Sequence, residues 1–148
     1  MSLQLTSDAF VNGQSIPVKY SCIGKNISPA LAWTEPPAGT QSFALIVDDP
    51  DAPGRTWVHW VLFNIPVNTR NLQEGFSANS SIAVGNNSSG TPSYQGPCPP
   101  SGTHRYFFKL YALDMFISQL PGATKDQLLK AMDGHILAQA ELMGTFSK

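Results

Sequence analysis

Short apolar runs, separated by turn-forming residues, cover the first three quarters of this chain. Ser42 to Val47 is almost continuously apolar, the pattern of a strand covered on both faces. Trp57 to Ile65 is a second such run, ended by Pro66. Tyr106 to Leu113 is a third, rich in the aromatic residues that favour strands. Leu31-Ala32-Trp33 and Ile82-Ala83-Val84 are shorter strand candidates. Asn12-Gly13, between Phe10-Val11 and Ile16-Pro17-Val18, reads as a tight hairpin turn. The connectors are polar: a turn at Glu35-Pro36-Pro37-Ala38-Gly39, a stretch from Asn68 to Ser80, and a Gly/Asn/Ser/Pro-rich loop from Gly85 to Gly96.

The pattern changes after Pro121. Leu128, Leu129 and Met132 recur at helical spacing behind Thr124, a natural N-cap. Asp133-Gly134 interrupts the run. Ile136, Leu137, Ala140, Leu142 and Met143 then predict a second helix, stopped by Gly144, with His135 packing or capping at its start. Many short strands followed by helices predict a mostly β fold, an antiparallel β-sandwich with C-terminal helices, in one domain spanning residues 1–148.

Composition narrows the function classes. Hydrophobic residues make up 42% and charged residues only 13%, with a net charge of −1. That leaves a core-forming chain with no basic footprint for nucleic acid or anionic membranes. The apolar runs are too short for a helix to span a bilayer. The first eight residues lack the basic and apolar parts of a secretory signal, which favours the cytoplasm. In that compartment Cys22 and Cys98 are expected as reduced thiols, with a disulfide between them left open. Asn26, Asn79, Asn86 and Asn87 fit the glycosylation pattern, which carries weight only in a secreted chain.

The chemistry concentrates in two segments. The first is Asp48-Asp49-Pro50-Asp51-Ala52-Pro53-Gly54-Arg55-Thr56-Trp57-Val58-His59-Trp60. The second is Gly96-Pro97-Cys98-Pro99-Pro100-Ser101-Gly102-Thr103-His104-Arg105-Tyr106. Pro fixes φ and Gly permits φ > 0, so both loops are shaped by their own covalent chemistry. Asp49 and Asp51 follow one strand, His59 enters the next, and His104 and Tyr106 open a third. The two loops can converge at one end of the sandwich. A neighbouring Asp raises an imidazole pKa and fixes its tautomer, so a His with a Tyr hydroxyl can donate to an anion. Arg105 alternates with His104 and Tyr106 along a strand and so faces away, toward a salt bridge with Asp49 or Asp51. Taken singly, each Asp can cap a turn and His59 can be a core histidine. Two His and two Asp also have metal-ligating chemistry, but no H-x-x-x-H pair supports a metal site. Ser101 and Cys98 lack a nucleophile's setting, so no catalytic residue, metal or cofactor is assigned.

Both segments resemble the signature motifs of the phosphatidylethanolamine-binding protein family, which includes Raf kinase inhibitor protein. The first motif runs D-P-D-A-P, then Trp and His; the second runs G-x-x-P-P-x-G, then H-R-Y. Tyr20 to Pro29 and Gly134 to Leu142 resemble the shorter prokaryotic branch, so the resemblance spans nearly the whole chain. It implies a Greek-key β fold and a pocket for phosphate-like groups. Carried over, with Asp51 added from the loop itself, the pocket comprises Asp49, Asp51, Pro53, Trp57, His59, Gly96, Pro100, His104 and Tyr106. It also implies a cis Ala52-Pro53 bond and, in some relatives, a cis bond matching Arg55-Thr56. The implied function is a binding protein, not an enzyme. It would take a small phosphorylated or anionic ligand and act on a partner kinase or peptidase, with homodimerisation left open. Inhibition through the pocket rim without a small ligand is one alternative, and a metal-assisted hydrolase is another. The chain departs from the larger eukaryotic members in its short Gly54-Arg55-Thr56 link and in Val58, where those members commonly carry a second histidine.

Overall fold

The computed structural model describes residues 2–78, 81–118 and 122–147. The Asn79 glycosylation pattern and the boundary at Pro121 lie outside the described residues. Two antiparallel sheets account for the strands. The larger has the order β6-β4-β3-β7-β8, formed by Ala83–Val84, Trp57–Pro66, Ser42–Asp49, Thr103–Leu113 and Ile136–Ser147. The smaller has the order β1-β2-β5, formed by Leu5–Thr6, Leu31–Trp33 and Asn71–Leu72. The chain leaves β4, contributes β5 to the small sheet and returns to the large one, a crossing compatible with a Greek key. One helix, α1 at Lys125–Met132, is present among the described residues.

β3 is buried along its whole length, as its continuous apolar run requires. Its side chains alternate between two cores. Phe43, Leu45 and Val47 face the small sheet, with Trp33, Leu62, Phe108 and Leu142. Ala44 and Ile46 face the other way, against Val61, Phe63, Leu128 and Met132. α1 therefore roofs the outer face of the large sheet. Its start is a full capping box: Gln127 N–H donates to Thr124 Oγ1, and Thr124 N–H donates to Gln127 Oε1. Its first residue, Lys125, donates to buried Asp48 at 2.7 Å, and Lys109 shares the same carboxylate oxygen at 3.3 Å. Two ammonium groups thus compensate one buried charge and tie the helix to the sheet.

The second C-terminal helix is not formed. Residues 136–147 are the long strand β8, paired with β7 from Thr103↔Ser147 to Leu113↔Ile136. Even positions, Ala138, Ala140, Leu142 and Phe146, pack toward the inter-sheet core, while Gln139, Glu141 and Ser147 face solvent. The helix-favouring Ala, Leu, Met and Glu content is overridden by the ladder along β7. Gly144 is no helix stop. It sits opposite Tyr106, where a Cβ would come within 2.5 Å of Ile16 and 2.7 Å of Phe10. Asn12-Gly13 makes a turn, with Gly13 at φ +87, but not a two-stranded hairpin. The segment instead runs beside β8: Gly13 N–H donates to Met143 O, and Ile16 N–H to Thr145 O, each at 2.7 Å. His135 stands just before β8, its Nδ1 2.8 Å from Asp114 at the surface.

Candidate functional site

β3, β4 and β7 lie side by side, so the loop from β3 to β4 and the loop entering β7 meet at one end of the large sheet. Asp49 is the last residue of β3 and opposes Trp57, the first of β4. On β7, His104, Tyr106 and Phe108 are buried, while Arg105 and Phe107 face outward. The β3–β4 register slips by one residue between Val47↔Trp60 and Asp48↔Val58, leaving His59 as the extra residue of a bulge. Simple alternation would put His59 on the same face as Val61, under α1. The bulge re-aims it toward Tyr106, with ring centroids 5.2 Å apart.

These placements enclose a cavity of about 320 Å³, lined by Asp49, Ala52, Pro53, Trp57, His59, Cys98, Pro99, Pro100 and His104. At its base, His104 Nδ1 lies 2.7 Å from Asp49 Oδ2, and both side chains are almost fully buried. Asp49 Oδ1 accepts from Asp51 N–H at 2.8 Å. The carboxylate is thereby fixed in place, and it holds a proton on His104 Nδ1. When His104 is doubly protonated, Nε2–H is its remaining donor. The Tyr106 ring stacks beside His104; its buried hydroxyl makes no well-formed hydrogen bond among the described residues, and Asp49 and the Cys98 backbone are its polar neighbours. Burial, reinforced by the charge of Asp49, pushes that hydroxyl's pKa up, so it is a neutral O–H.

His59 plays a different part from the one expected of it. Its Nδ1 lies 2.7 Å from Gln95 O and donates there, leaving Nε2 as an acceptor in the neutral ring. Burial lowers the His59 pKa below the ordinary value, outweighing the raising effects of Gln95 O, Asp49 and Asp48. The expected rise from a neighbouring carboxylate is therefore reversed here, because desolvation of the imidazolium costs more than the carboxylates return. The linkage sign follows. The unfolded chain binds a proton at His59 near the ordinary value, and the folded chain resists it. The stabilising preference for neutral His59 is complete above pH ~6.5 and is lost as pH falls from there through the folded pKa. Urea midpoints should drop between pH 7.5 and 5. His59→Gln should flatten that slope, and an unchanged slope would show that His59 is not the titrating group.

Three expected site residues, Asp51, Gly96 and Tyr106, sit nearby without lining the cavity, and Tyr106 is fully buried. Asp51 is turned toward Arg105, accepting from its backbone N–H, Nε and Nη2, each at 2.9 Å. Those hydrogen bonds hold the Asp51 pKa down to about 2. Arg105 thus faces away from the cavity and pairs with Asp51, one of the two carboxylates expected for it. Gly96 is a packing residue. A Cβ there would lie 2.1 Å from Tyr20 O, and its N–H donates to Asn26 Oδ1 at 2.8 Å. Gln95 was not anticipated: its carbonyl fixes the His59 tautomer, and its Oε1 accepts from Trp57 Nε1 at 3.3 Å. It lies in a loop whose composition marks it only as irregular. Arg55 covers the Trp57 ring at 5.2 Å.

Two further expectations are overturned. Among the described residues no peptide bond is cis, so Ala52-Pro53 and Arg55-Thr56 are trans. Trans is the lower-energy isomer for both bonds, and Gly54 at φ +80 supplies the chain reversal instead. Cys22 and Cys98 are not free thiols but a disulfide joining segments 76 residues apart. The two loops are neighbours through the hydrogen bond from Cys22 N–H to Pro97 O.

A larger cleft, about 670 Å³, opens between Arg55-Thr56, residues 86–90 and the first turn of α1. Its Lys125 is already committed to Asp48, and it holds no buried acid–imidazole pair. The smaller cavity carries the chemistry. Among the described residues no group of three or more His, Cys, Asp and Glu side chains is placed to hold a metal ion.

Residues 6–147 match the sequence profile of the family described as phosphatidylethanolamine-binding protein. A UPF0098 protein of Methanothermobacter thermautotrophicus is 47% identical, with 99% of each chain covered. The crystal structure of a phosphatidylethanolamine-binding protein homologue from Chlamydia trachomatis superposes with a TM-score of 0.94. It is 48% identical, over 99% of this chain and 98% of that one. YbcL of Escherichia coli gives a TM-score of 0.92 at 31% identity, over 100% and 99% of the two chains.

Proposed function

This chain belongs to the phosphatidylethanolamine-binding protein family, and on that footing we propose that its cavity captures a small phosphate-like anion. One observation carries the reading: a buried His104–Asp49 pair lines a cavity walled by Pro53, Trp57, His59, Pro99 and Pro100. His104, its ring oriented by Asp49, lines the cavity and offers itself to a ligand oxygen. Neutral His59 offers an acceptor, which suits a hydroxyl or ammonium on the same ligand. Ala52, Pro53, Trp57, Pro99 and Pro100 give the mouth an apolar wall.

Calorimetric titration with inorganic phosphate and with O-phosphorylethanolamine tests this. His104→Ala should weaken both at least tenfold while leaving the circular dichroism spectrum native. Equal affinity for wild type and His104→Ala would remove the anion pocket's central residue and the proposal with it. Millimolar affinity is expected even for wild type, because so few contacts offset the loss of free motion.

A protein-inhibitor role is favoured by one separate feature. Val18 and Ile23, 53% and 57% exposed, are apolar side chains on the segment that the disulfide ties to Cys98 of the cavity wall. As for compartment, no helix among the described residues is long and apolar enough to cross a membrane. The cytoplasmic expectation carried with it two reduced thiols. The disulfide favours an oxidising compartment instead.

A further inference from the structure

We propose that the Cys22–Cys98 disulfide is a redox latch on the cavity, which opens the wall and weakens anion binding when it is reduced. The inference rests on the anion-binding reading for its affinity arm and on the wall's own construction for the rest. Cys98, Pro99 and Pro100 form one side of the cavity, a few residues before His104. In Pro97-Cys98-Pro99-Pro100 three of four residues have no N–H, so this wall cannot join a β-ladder. Its start is tied to the sheet, Gln95 N–H donating to His59 O at 3.0 Å, and beyond Gln95 it is held from outside the sheet. Cys22 N–H donates to Pro97 O at 3.1 Å, Gly96 N–H to Asn26 Oδ1 at 2.8 Å, and Tyr94 OH to Tyr20 O at 2.9 Å. Each of these ties ends in residues 20–26, as does the disulfide.

That anchoring segment is itself irregular, a single 3-10 turn at Val18–Tyr20 followed by turns. Neither end of the disulfide lies in a strand, whereas Asp49, His59 and His104 do. The bond therefore controls one wall without controlling the sheet. Both cysteines are solvent-exposed, so a thiol can reach the sulfurs. The chemistry balances with a dithiol reductant, either a small molecule or a protein. One thiolate attacks Sγ of one cysteine, breaking the Cys22–Cys98 bond and forming a mixed disulfide. The second thiol then displaces the protein sulfur. Two electrons and two protons pass to the cysteines, and the reductant leaves as its own disulfide. Afterwards the wall keeps its hydrogen bonds but loses its covalent stop. Residues 96–102 then sample open positions in which Pro99 and Pro100 no longer complete the cavity.

Amide hydrogen exchange and phosphate titration, on oxidised protein and on protein held in excess dithiol at 15 °C, test the latch. Reduction should speed exchange at least tenfold across residues 20–26 and 96–104, leave β3 and β4 exchanging only through global unfolding, and weaken phosphate binding at least fivefold. Reoxidation should reverse both changes. Cys22→Ser/Cys98→Ser should match the reduced protein and ignore the reductant. Unchanged exchange in residues 96–104 overturns the latch whatever the protein binds. A rise in β3 larger than the loss of global stability accounts for, read from urea unfolding of the same samples, overturns it too, because reduction would then loosen the native sheet itself. A loosened wall with unaltered phosphate affinity also overturns it. If the wall loosens but even oxidised protein fails to bind phosphate or O-phosphorylethanolamine, the anion reading falls and the mechanical latch stands.

Discussion

Replacing Asp49 by alanine should lower unfolding stability by about 3 kcal/mol, the lower end of the range for breaking a buried ionic pair. Asp49 is 3% exposed and its two oxygens have separate duties. Oδ2 meets His104 Nδ1 and Oδ1 accepts from Asp51 N–H. Alanine leaves a buried imidazole N–H without an acceptor and frees the turn that carries Ala52 and Pro53. Asn would keep one acceptor oxygen and should cost less than alanine. Asp51→Ala is the informative control. Its pair with Arg105 is well exposed, so its loss should cost about 1 kcal/mol or less despite three hydrogen bonds. Urea unfolding should show this order with a nearly constant m value. An Asp49→Ala protein within 1 kcal/mol of wild type would mean that the His104–Asp49 pair is not formed in solution. The variant should still fold, because the two cores lie in strands behind the site.

The contrast between Asp49 and Asp51 shows how far the sequence could be read. Both stand in one Pro-rich loop, and nothing in their residue types separates them. The alternation of His104, Arg105 and Tyr106 did separate the two buried side chains from the outward one, because β7 is a regular strand. β3 was legible for the same reason, as was the Thr124 cap, since Thr and Gln three residues apart form a local unit. β8 was not legible. Its Ala, Leu and Met content suits a helix, and only the pairing with β7 selects the period-two reading. His59 was placed near the cavity by resemblance, but its route there is a bulge set by cross-strand register, which a one-dimensional pattern does not contain. Its lowered pKa follows from burial, again a property of packing. The disulfide was invisible for a related reason. Two cysteines 76 residues apart become neighbours only once Gly96 lets the two loops touch.

Removing that disulfide should have the largest effect on stability. A cross-link closing a loop of this length restricts the unfolded chain by about 4 kcal/mol on the chain-entropy view. Cys22→Ser/Cys98→Ser should therefore lose about 4 kcal/mol, or roughly 10 °C in Tm for a domain of this size. The native contacts change little, so the effect acts mainly through the unfolded state. That has a second signature. Without the cross-link the unfolded chain expands and exposes more surface, so the urea m value should rise as the midpoint falls. A purely native-state effect would lower the midpoint at constant m. An unchanged midpoint and m value, together with two titratable thiols in the untreated wild type, would show that the bond does not form. A loss of this size still leaves a folded protein at low temperature, since domains commonly hold about 5–15 kcal/mol. The destabilised chain would unfold more readily as a whole on heating. At low temperature its first opening should occur at the wall, where three prolines leave the backbone with little else to hold it.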